Sequence, residues 1–258
     1  MPAPLRDIAR YLDETLRTAD IPDYPNALNG VQAENDGVIV KVAAAVDARE
    51  QTIHGAIAEG ANLLLVHHGL FWGGMLPLRG AQRARVRALL DGDLAVYASH
   101  LPLDAHPELG NNALLARELG LVPSAGFGRF KGMDIGVMGE SIIPTRVLSA
   151  RAAEFAAKWG GSSRTSAIAD ERTTLRWAIV TGGGGTTDTI RDAHAAGIDT
   201  LIVGEGAHHT AIDADELGVV VIYAGHYATE TPGVRALAER VGTVFGIPWT
   251  FVHVPTGL

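Results

Sequence analysis

The chain has 258 residues, a net charge of −8 and no cysteine. Without cysteine there is no disulfide and no thiolate ligand, so any metal must be held by nitrogen and oxygen atoms. An acidic surface repels phosphate backbones, which argues against nucleic acid and anionic membranes as partners.

The first predicted element is an amphipathic helix, because Leu5, Ile8, Leu12 and Leu16 recur at helical spacing. This charged segment lacks the apolar core of a signal peptide, and no later stretch approaches the roughly 20 apolar residues of a membrane span, so we expect a cytoplasmic location. Eight short apolar runs follow, mostly separated by helix-like segments, which predicts an α/β fold with mostly parallel sheets. In chain order the runs are VIVKVAAAV, ANLLLV, LAVYA, DIGVMG, LRWAIV, DTLIVG, VVVIYA and TFVHV.

The sequence contains an internal repeat. Residues 52–69 align without gaps with residues 189–206, and residues 97–104 match residues 223–230 with the shared pattern Tyr-Ala-x-His and an acid four residues later. Two matches in the same order predict two related α/β lobes, with polar strand ends facing a shared cleft. The least regular segment is 121–134, so the first lobe is predicted to comprise 1–125 plus about 225–258, and the second about 126–224.

Two adjacent histidines, His67 and His68, end the second apolar run. Adjacent side chains of a regular strand point to opposite faces, so both can serve one point only where the strand has ended, or else they serve two neighbouring centres. Ligands of open α/β sheets bind beyond such strand ends. The alternative interpretation is a polar loop pair, one member of which caps the next element.

A histidine followed four residues later by an acid stands after two further strands, as His100 with Asp104 and as His226 with Glu230. Four-residue spacing places two side chains on one side of a helical turn. However, Thr231-Pro232 is typical of a helix start, so His226 and Glu230 are predicted to lie in the connection before that helix. The alternative for either pair is a loop histidine hydrogen-bonded to a local carboxylate.

Together the three strand ends supply imidazoles and carboxylates, a donor set that suits Zn, Fe, Mn or Co. One cation would leave donors over, whereas two cations bridged by a carboxylate and water would use them all. Clustered carboxylates repel one another without a cation between them. The pattern therefore favours a metal site over a purely structural cluster.

Three further residues are weaker candidates. Glu205 occupies the position of His68 in the repeat and has either a supporting role beside the metal or the substrate, or a loop role. His208 and His209 either line the cleft or lie at the surface near a helix start.

Two other motifs have open interpretations. The stretch TGGGGTTD, residues 181–188, is either a plain tight turn or an anion cradle, but it lacks the Lys-Ser/Thr ending of a P-loop. Phe71 and Trp72 either stack on a base or pack beneath the histidine loop.

The stretches LLLVHHGLFW, SHLPLDAHPELGNNALLARELGL and AGHYATE resemble signature blocks of the NIF-three-like dinuclear metal-centre family, also called the GTP cyclohydrolase 1 type 2 family. LNGVQ, TGGGG and GEGAHH are similar to further blocks of the family, so the resemblance spans almost the whole chain. Its length matches the short form without an inserted domain.

The resemblance implies two α/β lobes with a pair of divalent metals between them, assembled into a toroidal homohexamer. It places five residues on the metals, with Glu230 as a bridge: His67, His68, Asp104, His226 and Glu230. His100 is then either a ligand or a group that orients Asp104 or a metal-bound water.

The implied activity is that of a dinuclear metal hydrolase, in which metal-bound hydroxide opens the ring of a purine nucleotide such as GTP. His100 or His208 would donate the proton to the ring nitrogen. The alternative is a non-catalytic toroidal metal-binding scaffold or partner-binding protein.

Overall fold

The structure, a computed structural model, describes residues 2–74, 76–166 and 171–258. The chain divides into two compact units, unit 1 with residues Met1–Leu103 and Gly233–Val254 and unit 2 with residues Asp104–Pro232 and Pro255–Leu258. In the described ranges, none of the helices combines the length and the apolar content that crossing a bilayer requires.

Strands and helices alternate along most of the chain. The first ten elements are β1 (Ala3–Pro4), α1 (Leu5–Leu16), β2 (Gly30–Ala33), β3 (Val38–Ile39), β4 (Val42–Asp47), α2 (Glu50–Ala58), β5 (Leu63–His68), α3 (Gly80–Asp91), β6 (Ala95–Ala98) and α4 (Leu101–Asp104). The others are α5 (Asn111–Glu118), β7 (Ala125–Phe130), β8 (Met133–Pro144), α6 (Thr145–Lys158), β9 (Arg164–Thr165), β10 (Thr173–Val180), α7 (Thr187–Ala195), β11 (Thr200–Val203), α8 (His208–Leu217), β12 (Val220–Tyr223), α9 (His226–Phe245) and β13 (Trp249–Phe251).

Unit 1 is built on a five-stranded sheet in the order β13-β4-β5-β6-β2, in which every pairing is parallel except that of β2. The central strands are buried almost throughout, as expected of a parallel sheet covered on both faces. On one face, Leu64 and Val66 of β5 pack in a cluster with Ile53 of α2 and Leu89 of α3. The predicted N-terminal helix is confirmed, and α1 buries the four residues that define its apolar stripe.

Unit 2 contains a six-stranded mixed sheet in the order β7-β8-β10-β11-β12-β9. Strands β10, β11 and β12 are parallel, and the flanking pairings are antiparallel. Alternate residues of β10 enter two separate cores, because successive side chains point to opposite faces. Trp177 packs with Phe155 of α6, and Ala178 packs with Ile190 of α7.

The segment 121–134 contains the first strand and the turn of a β-hairpin inside unit 2. Strands β7 and β8 are joined by Lys131 and Gly132, whose φ angles of 46° and 91° are typical of a tight hairpin turn. Upstream, Leu115 of α5 belongs to the core that contains Trp177. The chain therefore enters unit 2 at Asp104, ahead of the predicted boundary near 125.

The internal repeat corresponds to equivalent elements in the two units. At the offset of 137 residues, α2 (Glu50–Ala58) coincides in both bounds with α7 (Thr187–Ala195), and the start of β5 coincides with the start of β11. Both units continue the order strand, helix, strand, helix, strand, as β4-α2-β5-α3-β6 and β10-α7-β11-α8-β12. The prediction of two related α/β lobes agrees with this order.

Candidate metal centre

Three histidines of unit 1 lie at the carboxyl ends of adjacent parallel strands. His67 and His68 end β5, and His100 follows β6. Their metal-ligating nitrogens all lie within 4.8 Å of one another. The structure thus brings two of the predicted ligands together with His100, whose sequence-based role was open between ligand and orienting group.

Each of these three imidazoles has a hydrogen-bond acceptor at Nδ1. The Nδ1 atom of His67 lies 2.9 Å from the carbonyl oxygen of Ser99, that of His68 lies 2.9 Å from Asp47 Oδ1, and that of His100 lies 2.9 Å from Asp23 Oδ1. An acceptor there keeps the proton on Nδ1 and directs the lone pair to Nε2, the arrangement found around metal-bound histidines. Asp23 and Asp47 were not among the residues singled out in the sequence.

The LNGVQ block supports this arrangement through Asn29. The Asn29 amide donates to Asp23 Oδ2 at 2.8 Å, and its oxygen accepts from the backbone N–H of His100 at 2.7 Å. Burial raises the pKa of Asp23, but the hydrogen bond and the charge of His100 outweigh it, so the pKa is lowered. Asp23 is therefore a carboxylate that can hold an Nδ1 proton.

Unit 2 carries a second donor set on α9. His226 is its first residue, and Glu230, which is buried, lies one turn later with Oε1 3.1 Å from His226 Nε2. The other ring nitrogen, Nδ1, lies 2.8 Å from Glu205 Oε1. Burial lowers the pKa of His226, but the hydrogen bonds and charges of Glu230 and then Glu205 raise that pKa to about 9. Glu205 therefore contacts the imidazole of His226 through one of its carboxylate oxygens.

The prediction that His226 and Glu230 precede their helix is wrong. Helix α9 begins at His226, and Pro232 lies inside it. The N–H of Thr229 donates to the carbonyl of Gly225 at 3.0 Å and closes the first turn. Pro232 is the seventh residue of α9 and lies beyond its first turn, so it removes one i→i−4 backbone bond from the helix. The Thr231 hydroxyl donates to the carbonyl of Tyr227 at 2.9 Å instead of capping a helix.

The glycine-rich loop after β10 packs directly against this donor set. Gly182 has φ +60°, and a Cβ atom on it would lie 2.0 Å from Glu230 Oε1. The Gly182 N–H donates to the Thr229 hydroxyl at 3.0 Å, and its carbonyl accepts from the N–H of Glu205 at 2.8 Å. The loop is therefore a tight turn whose missing side chain leaves room for the Glu230 carboxylate.

Asp104, His208 and His209 are the remaining candidates. Asp104 is buried in unit 2, where its Oδ1 accepts from Asn111 Nδ2 at 2.8 Å and from the Thr181 hydroxyl at 3.4 Å. His208 and His209 are exposed at the start of α8. Among the described residues, Asp104, Glu205 and His208 belong to no cluster of three metal-ligating side chains within 4.8 Å.

The donor chemistry fits a divalent metal. Four imidazoles have their Nδ1 atoms held by oxygen acceptors, and a buried carboxylate accompanies one of them. Imidazole nitrogen and carboxylate oxygen suit Zn, Fe, Mn and Co. His226, with its pKa raised to about 9, would have to release a proton before its ring could bind a metal.

Comparison with known proteins decides the family. Residues 3–256 match the model of Duf34/NIF3 (NGG1p interacting factor 3). The chain belongs to the DUF34/NIF3 family. Membership confirms the resemblance that the sequence blocks indicate.

Individual members cover nearly the whole chain. A protein of Deinococcus radiodurans named GTP cyclohydrolase 1 type 2 homolog is 44% identical, over 98% of this chain and 94% of its own length. Among solved structures, protein ybgI, described as of unknown function, is 34% identical with a TM-score of 0.88, over 99% of this chain and 100% of that chain. TTHA1606 from Thermus thermophilus is 36% identical with a TM-score of 0.82 and the same coverage.

Proposed function

We propose that the protein is a metal-dependent hydrolase with a dinuclear centre. The observation that carries the proposal is the anchoring of His67, His68, His100 and His226 by acceptors at Nδ1. A single contact of this kind also occurs at the exposed His194, whose Nδ1 lies 2.9 Å from the carbonyl oxygen of Leu217. Its repetition on clustered histidines, with a carboxylate as the acceptor for three of the four, is the arrangement that orients Nε2 in metal sites. The proposed ligands are His67, His68, Asp104, His226 and Glu230.

The proposed ligands offer two kinds of donor. His67, His68 and His226 offer imidazole nitrogen, and Asp104 and Glu230 offer carboxylate oxygen. Glu230 is the proposed bridge, since its buried carboxylate, held beside Gly182, has two oxygen atoms to share. When bound, two divalent cations lower the pKa of a water ligand and polarise an electrophilic substrate.

The reaction we propose is hydrolytic opening of a purine nucleotide ring, as in a GTP cyclohydrolase. The name of the Deinococcus radiodurans relative supports this choice. His100 is the proposed proton donor or orienting group, because its Nδ1 already bonds Asp23 and its ring lies within the histidine cluster. His208, exposed on α8, is the second candidate for proton donation.

We further propose a cytoplasmic homohexamer that acts on a small molecule. The charge of −8 per chain supports a substrate smaller than a nucleic acid, because a net acidic surface repels long polyanions.

The test begins with metal content per chain, measured by elemental mass spectrometry on protein purified without chelator or nickel affinity. We expect about two divalent ions in the parent protein and a clear loss in Glu230→Gln. Glu239→Gln is the matched control, since Glu239 is an exposed carboxylate on the same helix. No bound metal, even after incubation with Zn, Mn and Fe(II), would overturn the proposal.

Turnover separates the two functional alternatives. The metal-loaded parent protein should convert GTP to a ring-opened product, and His67→Ala should abolish conversion while the protein stays assembled. Full metal content without conversion of GTP or of a generic phosphoester would favour the non-catalytic scaffold.

A further inference from the structure

Two exposed aromatic side chains border the histidine cluster of unit 1. Trp72 is 39% exposed and Tyr24 is 49% exposed. The indole ring centroid of Trp72 lies 4.6 Å from that of His100 and 5.4 Å from that of His68. Tyr24 lies 6.0 Å from Trp72 at an interplanar angle of 79°, so the two rings form a nearly square corner, here called the aromatic corner.

The backbone beside this corner is anchored although the indole is exposed. The N–H of Leu70 donates to Gln32 Oε1 at 2.6 Å, and the N–H of Gly74 donates to the carbonyl of Phe71 at 2.8 Å. The Asn26 amide reaches the carbonyl of Trp72 at 3.5 Å. These contacts hold the loop on both sides of Trp72.

Core packing does not explain this arrangement. A tryptophan stabilises a fold mainly by burying its large apolar surface, and Trp72 leaves more than a third of its surface exposed. Trp72 is not needed to orient the imidazoles of His68 and His100 either, because Asp47 and Asp23 already hold their Nδ1 atoms. An anchored and exposed indole beside potential metal ligands is suited to contacting something that binds there.

We propose that the aromatic corner binds a planar heteroaromatic ring of the substrate, a purine-type base, next to the metal ligands. A flat ring stacked on the indole presents its edge to the phenol of Tyr24, and both arrangements are favoured between π-systems. The short distances from Trp72 to His68 and His100 place the stacked ring beside the reacting centre. This inference rests on the proposed function for its substrate class, and it adds the residues that recognise the base.

The experiment compares two ligands that differ only in the base, GMP and ribose 5-phosphate, by calorimetric titration of the full Zn-loaded chain. Base–aromatic stacking is worth about 1–3 kcal/mol by alanine substitution, which corresponds to a roughly 5- to 150-fold change in Kd. Trp72→Leu should weaken GMP binding by an amount in that range, and Trp72→Phe should retain most of the affinity. Phe71→Leu is the matched control, because Phe71 is a neighbouring aromatic with 36% exposure.

Affinity for ribose 5-phosphate should be the same in all four proteins, and metal content before titration should match. The inference is overturned if GMP binds the parent protein no more tightly than ribose 5-phosphate. It is equally overturned if metal-loaded Trp72→Leu keeps the parent affinity for GMP. Weaker metal binding in Trp72→Leu with unchanged GMP affinity at saturating Zn would assign Trp72 to the metal site instead.

The outcome is separable from that of the proposed function. GMP binding that depends on Trp72 in a protein without hydrolytic activity would refute the hydrolase and leave the aromatic corner in place. Hydrolysis of a nucleotide whose binding does not depend on Trp72 would support the hydrolase and refute the role of the aromatic corner.

Discussion

Gly182→Ala tests whether the glycine-rich loop exists to accommodate Glu230. The new Cβ atom would lie 2.0 Å from Glu230 Oε1, whereas real Cβ contacts are essentially never shorter than 3.0 Å. The carboxylate oxygen must therefore move by at least about 1 Å. Metal–ligand distances tolerate only about 0.2 Å, so we expect Gly182→Ala to lose metal.

A matched control isolates this steric effect from backbone strain. Gly218, also in unit 2, has φ +69° against +60° for Gly182, but a Cβ atom there would meet none of the described atoms within 4 Å. Alanine at either position lowers the unfolding free energy by about 1–2 kcal/mol, because its Cβ disfavours the left-handed backbone conformation. Gly218→Ala should show that loss of unfolding free energy alone, with parent metal content.

The assay is metal content per chain by elemental mass spectrometry, together with urea unfolding of both variants. We expect a drop in metal content only for Gly182→Ala, and a larger loss of stability than for Gly218→Ala. Equal metal content in the two variants would show that Glu230 does not hold metal in the geometry described.

Three further predictions follow, two on the groups that support the histidines and one on the effect of bound Zn. We expect weaker Zn binding, by about 10- to 100-fold in a chelator competition, in each of Asp23→Asn, Asp47→Asn and Glu205→Gln. Asp20→Asn is the control, since Asp20 is exposed. A Zn affinity equal to that of the parent protein in the three variants would refute the supporting role. Asn29→Ala should lower the unfolding free energy in urea by about 1–3 kcal/mol, because it leaves Asp23 and the N–H of His100 without their bonds to Asn29; a loss below about 0.5 kcal/mol would contradict this. Zn at 100 times its Kd should stabilise the fold by about 2.7 kcal/mol and EDTA should reverse the effect, and an unchanged melting temperature would argue against a native-state site.

Much of the fold could be predicted because short stretches of sequence carry the hydrophobic periodicity and the internal repeat. The eight apolar runs all contribute strands, the first divided between β3 and β4. The repeat at residues 52–69 and 189–206 gives equivalent helices and strands in the two units. The antiparallel hairpin β7–β8 was not predicted, because glycine and proline near it resemble a linker, and only pairing between the strands distinguishes the two.

Helix α9 shows where local signals mislead. Thr231-Pro232 has the residues of a helix start, yet the start lies at His226. Tertiary contacts override the local signal, since Ala228 packs in the unit 2 core and Thr229 bonds to Gly182. These contacts join residues far apart in sequence and have no signature within a short window.

The two carboxylates that hold the unit 1 histidines differ in how well the sequence predicts them. Asp47 ends β4 and pairs in register with His68 on the parallel neighbour β5, so two polar residues ending adjacent strands were a usable signal. Asp23 lies in an irregular loop between α1 and β2, and it meets His100 across 77 positions of sequence. No periodicity marks such a residue.

Each unit has a histidine–carboxylate pair at the end of its central parallel strand, but the two residue types occupy exchanged positions. In unit 1 the end of β5 carries His68, and the carboxylate of Asp47 on the neighbouring strand holds its Nδ1. At the equivalent repeat position in unit 2 the residue is the acid Glu205, and the histidine that it holds, His226, comes from the element after the next strand. A histidine–carboxylate pair is thus retained at the end of the central parallel strand in each unit while the positions of its members are swapped. Random loop polarity would not preserve the pair, whereas a requirement for an oriented Nε2 would, and this favours a metal-binding role for both strand ends.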